Sequence, residues 1–149
     1  MNTLKYTNKL AILVFLFTLG MGNTLFAQPL EDWIMAAEAA FERKDYNSAK
    51  EYYTVAIKFD TTRMDLWYRL GESAQNFEAY KAATLAYDRV AASTYRDSFP
   101  LLTYQQARVL QGQGQYLAAF DLFERFIANA EEQDDPEIDA KTLTDAETN

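Results

Sequence analysis

Residues 67–90 read WYRLGESAQNFEAYKAATLAYDRV, and residues 33–56, thirty-four positions earlier, read WIMAAEAAFERKDYNSAKEYYTVA. Laid over one another, Trp33 falls on Trp67, Glu38 on Glu72, Ala40 on Ala74, Tyr46 on Tyr80, Ala49 on Ala83 and Tyr53 on Tyr87. Ala37 meets Gly71, and Ala56 meets Val90. A further step of 36 residues reaches 103–126, TYQQARVLQGQGQYLAAFDLFERF, carrying Gly71 to Ala107, Tyr80 to Tyr116, Ala83 to Ala119, Tyr87 to Phe123 and Val90 to Phe126. The two added residues fit in the connection around Thr94–Pro100. Self-similarity at such a period marks a supersecondary unit that buries its apolar face against its neighbours.

The alternation of small and large residues has a packing reason. Two antiparallel helices approach closely only where a small side chain faces the partner and an aromatic fills the space beside it. Ala37, Gly71 and Ala107 take the small position on the first helix of each unit, and Ala49, Ala83 and Ala119 take it on the second. Trp33, Trp67, Tyr53, Tyr87 and Phe123 are the fillers. The spacing predicts an all-α chain with helices over about 30–43, 46–59, 64–77, 80–93, 100–112, 116–130 and 136–147. Pro29 and Pro100 suit first helical positions, where a missing N–H costs little. Thr62 with Asp65 three residues on reads as a capping box opening the third helix. Gly112 and Gly114 are expected to stop the fifth helix and permit a tight turn. The Gly-x-Gly lacks the strand, third glycine and lysine of a phosphate loop.

These residues resemble the tetratricopeptide repeat. The opening W-x₂-L-G-x₂-Y of that family stands here as Trp67, Leu70 and Gly71, with Ala74 at the tyrosine position, and its turn as Gly114, Tyr116 and Ala119. Departures are Thr103 at the tryptophan position, Thr61 and Tyr95 at the closing proline, and Ala36, Ala37 and Ala40 where larger residues often stand. The resemblance implies a right-handed α-solenoid of three helical hairpins over 30–63, 64–97 and 98–130, within a domain spanning 28–130. It extends loosely to the repeat segment that precedes OmpA-like peptidoglycan-binding regions of bacterial envelope proteins. That C-terminal region has no counterpart in this sequence. Residues 131–149 are rich in acids and read as either a capping helix carrying Ile138, Ala140 and Leu143 or a solvated tail.

Ahead of the repeats, Lys5 and Lys9 precede the apolar run Leu10 to Leu19, and a more polar stretch ends at Ala27. This is the order of a cleavable secretory signal, with the cut expected between Ala27 and Gln28. The run is about half of the roughly 20 residues a spanning helix needs. The expected location is therefore periplasmic or secreted, with no membrane span in the processed chain. There is no cysteine to form a disulfide or carry a lipid. A net charge of −8, without a basic patch, argues against nucleic acid as a partner.

Histidine is absent as well, which removes the commonest general base and metal ligand. Glu38 with Glu42 is a carboxylate pair at helical spacing, which on an acidic helix is ordinarily a solvated face. The run Glu131-Glu132-Gln133-Asp134-Asp135 lacks the glycine-centred spacing of a calcium loop. No catalytic residue, metal or cofactor is expected, and a deep pocket with converging carboxylates would be needed to suggest an enzyme.

The resemblance further implies that the first helices line a concave groove. Its register places Ile34, Glu38 and Phe41, then Tyr68, Glu72 and Gln75, then Tyr104, Arg108 and Gln111 on that surface, about half of them exposed and the rest covered by the neighbouring repeat or the last helix. Such a mixture suits an extended peptide or a protein helix better than a metabolite. The family's carboxylate clamp uses lysine, arginine and asparagine, where this chain has Ile34, Glu38, Tyr68 and Glu72. The expectation is an adaptor binding a protein or peptide in an envelope assembly; the alternative is a structural or oligomerisation module stacking through its terminal repeats.

Overall fold

The computed structural model describes residues 28–133 and 140–148. All the described secondary structure is helical: α1 (Gln28–Glu42), α2 (Tyr46–Phe59), α3 (Met64–Asn76), α4 (Tyr80–Ala91), a short 3₁₀ turn (Arg96–Ser98), α5 (Leu102–Gly112), α6 (Tyr116–Gln133) and α7 (Ala140–Thr148). The expected signal segment, the expected cut after Ala27, Pro136 and the side chains of the acidic run 131–135 lie outside the described residues. Among the described residues no helix is long and apolar enough to cross a membrane.

Each helix packs on the next in the chain, and α1/α2, α3/α4 and α5/α6 are the closest pairs. In the first pair, Phe41 meets Tyr46 at 5.5 Å beside the turn while Glu38, a turn earlier, meets Tyr53, two turns later. Partners receding in opposite directions make an antiparallel hairpin. The turns that close the pairs share one backbone geometry. Lys44, Glu78 and Gly114 have φ of 59°, 61° and 74°, and they stand 34 and 36 residues apart. At each turn the following amide reaches back to the last helical turn: Asp45 N to Ala40 O at 2.9 Å, Ala79 N to Ala74 O at 2.8 Å, Gln115 N to Leu110 O at 2.9 Å. Each left-handed residue donates its own amide to Phe41, Gln75 or Gln111. This paired arrangement satisfies carbonyls that a helix end otherwise leaves open.

The small positions are closed over by aromatic rings. Ala37, Ala49, Ala83 and Ala107 are fully buried and Ala119 is 3% exposed. A Cβ on Gly71 would stand 2.7 Å from Cδ1 of Tyr87, inside the ring's contact distance. Gly112 has a comparable role that the sequence pattern did not reveal. The Tyr80 ring of the preceding hairpin lies where a side chain on Gly112 would be, so this glycine serves close approach between hairpins. Gly114, with open space around its Cα, supplies the turn.

Three core clusters follow the pairs, and each is closed by the next element. Ala37, Ala49, Tyr53 and Ile57 are covered by Leu66 and Leu70 of α3. Ala74, Ala83, Tyr87 and Val90 are covered by Leu102 and Val109 of α5. Tyr104, Ala107, Phe123 and Phe126 are covered by Ala146 and Leu143 of α7. The acidic C-terminal segment thus contributes a helix, and it covers the last hairpin with two apolar side chains.

Two details of the sequence reading are corrected. Thr62 does not form a capping box with Asp65. Its amide and hydroxyl donate to Asp60 Oδ1 at 2.9 and 2.6 Å, and Asp65 is gripped by Arg63 at 2.9 and 2.7 Å. Asp60 takes both donors of Thr62 and the Arg63 guanidinium takes both oxygens of Asp65, so neither half of the box is free to form. Arg63 occupies the cap position and makes no side-chain capping bond. Pro100, moreover, stands outside α5, which begins at Leu102, because the longer connection is used up in the 3₁₀ turn and the bend after it.

Candidate functional site

The first helices α1, α3 and α5 carry all nine residues expected to face a partner. Their surroundings differ sharply. Glu38 of α1 and Glu72 of α3 are brought together by Arg69, a residue the sequence reading did not single out. Its Nη2 donates to Glu38 Oε2 at 2.6 Å and its Nη1 to Glu72 Oε2 at 3.0 Å. The guanidinium also lies over the Phe41 ring, 4.4 Å from its centroid, and the Tyr53 hydroxyl donates to Glu38 Oε1 at 2.5 Å. One arginine, two carboxylates and a phenol are therefore joined across α1, α2 and α3. The group holds one net negative charge.

The two carboxylates respond differently to the same arginine. The hydrogen bond from Arg69 holds the Glu38 carboxyl below its ordinary value, against a smaller opposing effect of burial. Burial dominates at Glu72 and pushes its carboxyl up, although Arg69 pulls the other way. The difference follows from exposure and contact: the Glu38 side chain is 40% exposed with two bonds from Arg69, whereas Glu72 is 20% exposed with one. Burial works to lower Arg69, but its bonds to Glu38 and Glu72 prevail and raise it. Burial, then the bond to Glu38, raises the Tyr53 hydroxyl, so it remains a donor at neutral pH.

Farther along, Ile34 and Phe41 are half-buried against the first core cluster. Tyr68 stacks on Phe99 at 4.9 Å and meets Tyr87 edge-on at 5.6 Å. Gln75 accepts a hydrogen bond from the Tyr87 hydroxyl at 3.0 Å. Tyr104 is buried, 8% exposed, between Phe123 and Phe126, and its hydroxyl donates to Asp145 of α7. Of the nine, Tyr104 is one that the last helix covers. Arg108 is the exposed member of the nine, and Gln111 is half-buried.

The longer connection between α4 and α5 opens a cleft of about 360 Å³ whose lining includes Arg96, Phe99, Thr103, Gln106, Arg125 and Asn129. Asp97 is its one carboxylate, and Arg96 pairs with it at 3.2 Å. Among the described residues no group of three or more acidic side chains stands where it could hold a metal ion. The arrangement of α1, α3 and α5 can present fixed charges and amides to a chain laid across it.

Of the polar network, Arg69 with Glu72 was visible as a charge pair at helical spacing. Its bond to Glu38, 31 residues away, and that of Tyr104 to Asp145, 41 residues away, had no local signal. Compared with known proteins, the chain matches no family model, and no curated protein matches it.

Proposed function

We propose that this chain is an exported binding scaffold of the tetratricopeptide type, three hairpins coiled as a right-handed α-solenoid that holds a protein or peptide on the face made by its first helices. The hairpin reading is supported by the three left-handed turn residues falling 34 and 36 positions apart, in step with the side-chain pattern. Export rests on Lys5, Lys9 and the apolar run before Ala27.

The observation that carries the binding reading is the half-exposed group Glu38–Arg69–Glu72, with Arg108 exposed one hairpin further on. These charges are held by one another while retaining contact with solvent, so a partner meets groups that need little reordering. The net negative charge of the group selects a segment with a basic side chain opposite Glu38 and Glu72, and Arg108 donates to an acidic or amide oxygen beyond it. A face that mixes charges, amides and aromatic rings fits an extended segment better than a small solute.

The test is capture from an envelope extract with three forms of the chain: unchanged, Arg108→Glu, and Arg89→Glu on the exposed face of α4. The expected result is a partner retained by the first and third and lost from the second. Equal retention by all three would remove the first-helix face from the binding reading. The mass of the exported form tests the cut after Ala27 independently.

A further inference from the structure

Two arginines line the cleft beside the α4–α5 connection, in a chain where acidic side chains outnumber basic ones 22 to 14. The cleft exists because the chain is longer at this junction. Residues 60–63 carry α2 into α3, whereas residues 92–101 carry α4 into α5 and form a 3₁₀ turn on the way. That turn brings Arg96 to the cleft, and the second half of α6 brings Arg125 and Asn129. Several donors there lack an acceptor. Arg96 uses its Nε on Asp97 at 3.2 Å, and its two Nη groups have no acceptor among the described residues. The Arg125, Asn129 and Thr103 side chains form no hydrogen bond or ion pair among the described residues. Thr54 and Thr84, by contrast, each return the hydroxyl to a carbonyl four residues back. Gln106 donates to Asp88 at 3.2 Å, which holds its side chain beside the cleft.

Two guanidinium groups against the single carboxylate of Asp97 leave the lining with net positive charge, within a chain of net charge −8. Guanidinium groups from two separate elements suit a phosphate better than a carboxylate. A carboxylate is taken up by one guanidinium fork, whereas the three oxygens and nearly two charges of a phosphate monoester can serve both. The cleft volume of about 360 Å³ is more than a phosphate alone fills and lies in the range of small-ligand sites. Its apolar floor is nearly closed off, with Leu102 6% and Phe126 2% exposed, so much of what a ligand meets is hydroxyl and amide. We propose that this cleft binds a small soluble phosphate monoester with a hydroxylated body. The phosphate lies between Arg96 and Arg125, and the hydroxyls of the body reach Thr103, Gln106 and Asn129. The cleft shares no residue with the Glu38–Arg69–Glu72 group, so this binding and partner capture by the first-helix face fail or succeed separately.

The test is calorimetric titration of the full chain with glycerol 1-phosphate in a buffer free of phosphate. Arg96→Met and Arg125→Met should each weaken binding about tenfold or more, the effect of losing a charged hydrogen-bonding group. Arg43→Met, which removes an exposed arginine of the first turn, should leave binding unchanged. All three arginines are exposed, so the fold should survive each change, as far-UV circular dichroism will verify. Asp97→Asn should bind the ester more tightly, because an exposed ion pair does little to hold Arg96 while its carboxylate repels the phosphate. Inorganic phosphate should bind more weakly than the ester, and glycerol should not bind. Absence of saturable binding at millimolar ester overturns the proposal, and so does equal weakening in all three arginine variants. Weaker binding by Asp97→Asn, or inorganic phosphate held as tightly as the ester, overturns it too. Binding to phosphatidylcholine vesicles that carry phosphatidic acid, with none to the soluble ester, would assign the cleft to a lipid headgroup and overturn it as well.

Discussion

The turns at Lys44 and at Gly114 have nearly the same backbone and opposite surfaces. Both place one residue in the left-handed region and both return an amide to the helix just ended. Yet the first turn is four consecutive charges, while the third is glycine and glutamine leading into Tyr116 and Leu117. The hydrogen bonds that close a helix end are backbone bonds, so they tolerate a lysine where glycine is easiest. The side chains are then free to decide what the end of the hairpin meets. A charged turn stays in water, and an uncharged one can be covered. The same contrast separates the junctions: α1 meets α3 through Arg69 and two carboxylates, whereas the second and third hairpins meet through Tyr80 on Gly112 and Tyr68 on Phe99.

The comparison can be broken most severely at its apolar junction. Gly112→Val drives methyl groups into the Tyr80 ring and should destabilise the fold by about 2–3 kcal/mol in urea titration, since a packed junction must open to admit them. Equivalent stability to the unchanged chain would mean that Tyr80 is not held against Gly112. At the polar junction, Arg69→Met leaves Glu38 and Glu72 partly buried without their common partner. A loss of about 1–3 kcal/mol at neutral pH is expected, and Glu38→Met, Arg69→Met together should lose less than the sum of the single changes.

The pH dependence sharpens the same junction. Glu38 is held below its ordinary value of 4.5, so its contribution is complete above that pH and disappears as the pH falls through its lower folded value. Glu72 is raised, so its ionisation costs stability as pH climbs past 4.5. The stability difference between the unchanged chain and Glu38→Gln should therefore shrink on acidification below 4.5. The difference for Glu72→Gln should be smaller at pH 7 than that for Glu38→Gln. Parallel curves for the two variants would contradict the assignment.

Smaller effects test the shared turn. Lys44→Gly and Glu78→Gly relieve a left-handed conformation and should each stabilise by roughly 0.5–1 kcal/mol, whereas Gly114→Ala should cost about 1 kcal/mol. Thermal melting of the three variants would show opposite signs. The smallest change concerns the residue after the turn. Asp45 accepts from the Ser48 amide at 3.2 Å, and Asp45→Ala should lower the melting temperature slightly. Ala79 occupies the corresponding place without a side-chain bond, and Ala79→Asp should recover a similar amount.

Much of the architecture was legible because it repeats. The small residues at Ala49, Ala83 and Ala119, the aromatics at Tyr53, Tyr87 and Phe123, and the turns between them recur at a spacing that local chemistry accounts for. Helix boundaries were recovered closely where a turn followed the pattern, and less well at Pro100, where a 3₁₀ turn takes up the extra residues. The capping box at Thr62 failed because Asp60 took up the donors of Thr62 and Arg63 took up the carboxylate of Asp65.

Sequence alone determined that the chain is helical and that its hairpins close through small residues facing aromatic rings, since these follow from periodicity and side-chain volume within each unit. Only tertiary structure decided which residues of the first-helix face stay in contact with water. Arg69 joins Glu38 to Glu72 across two helices, and Tyr104 is turned from surface to interior by Asp145 of a helix 41 residues away. Glu38, Tyr68 and Tyr104 occupy comparable faces of their helices, yet their fates differ with what packs above them. Exposure is a property of neighbours brought together by folding, and neighbours distant in the chain leave no mark on local spacing.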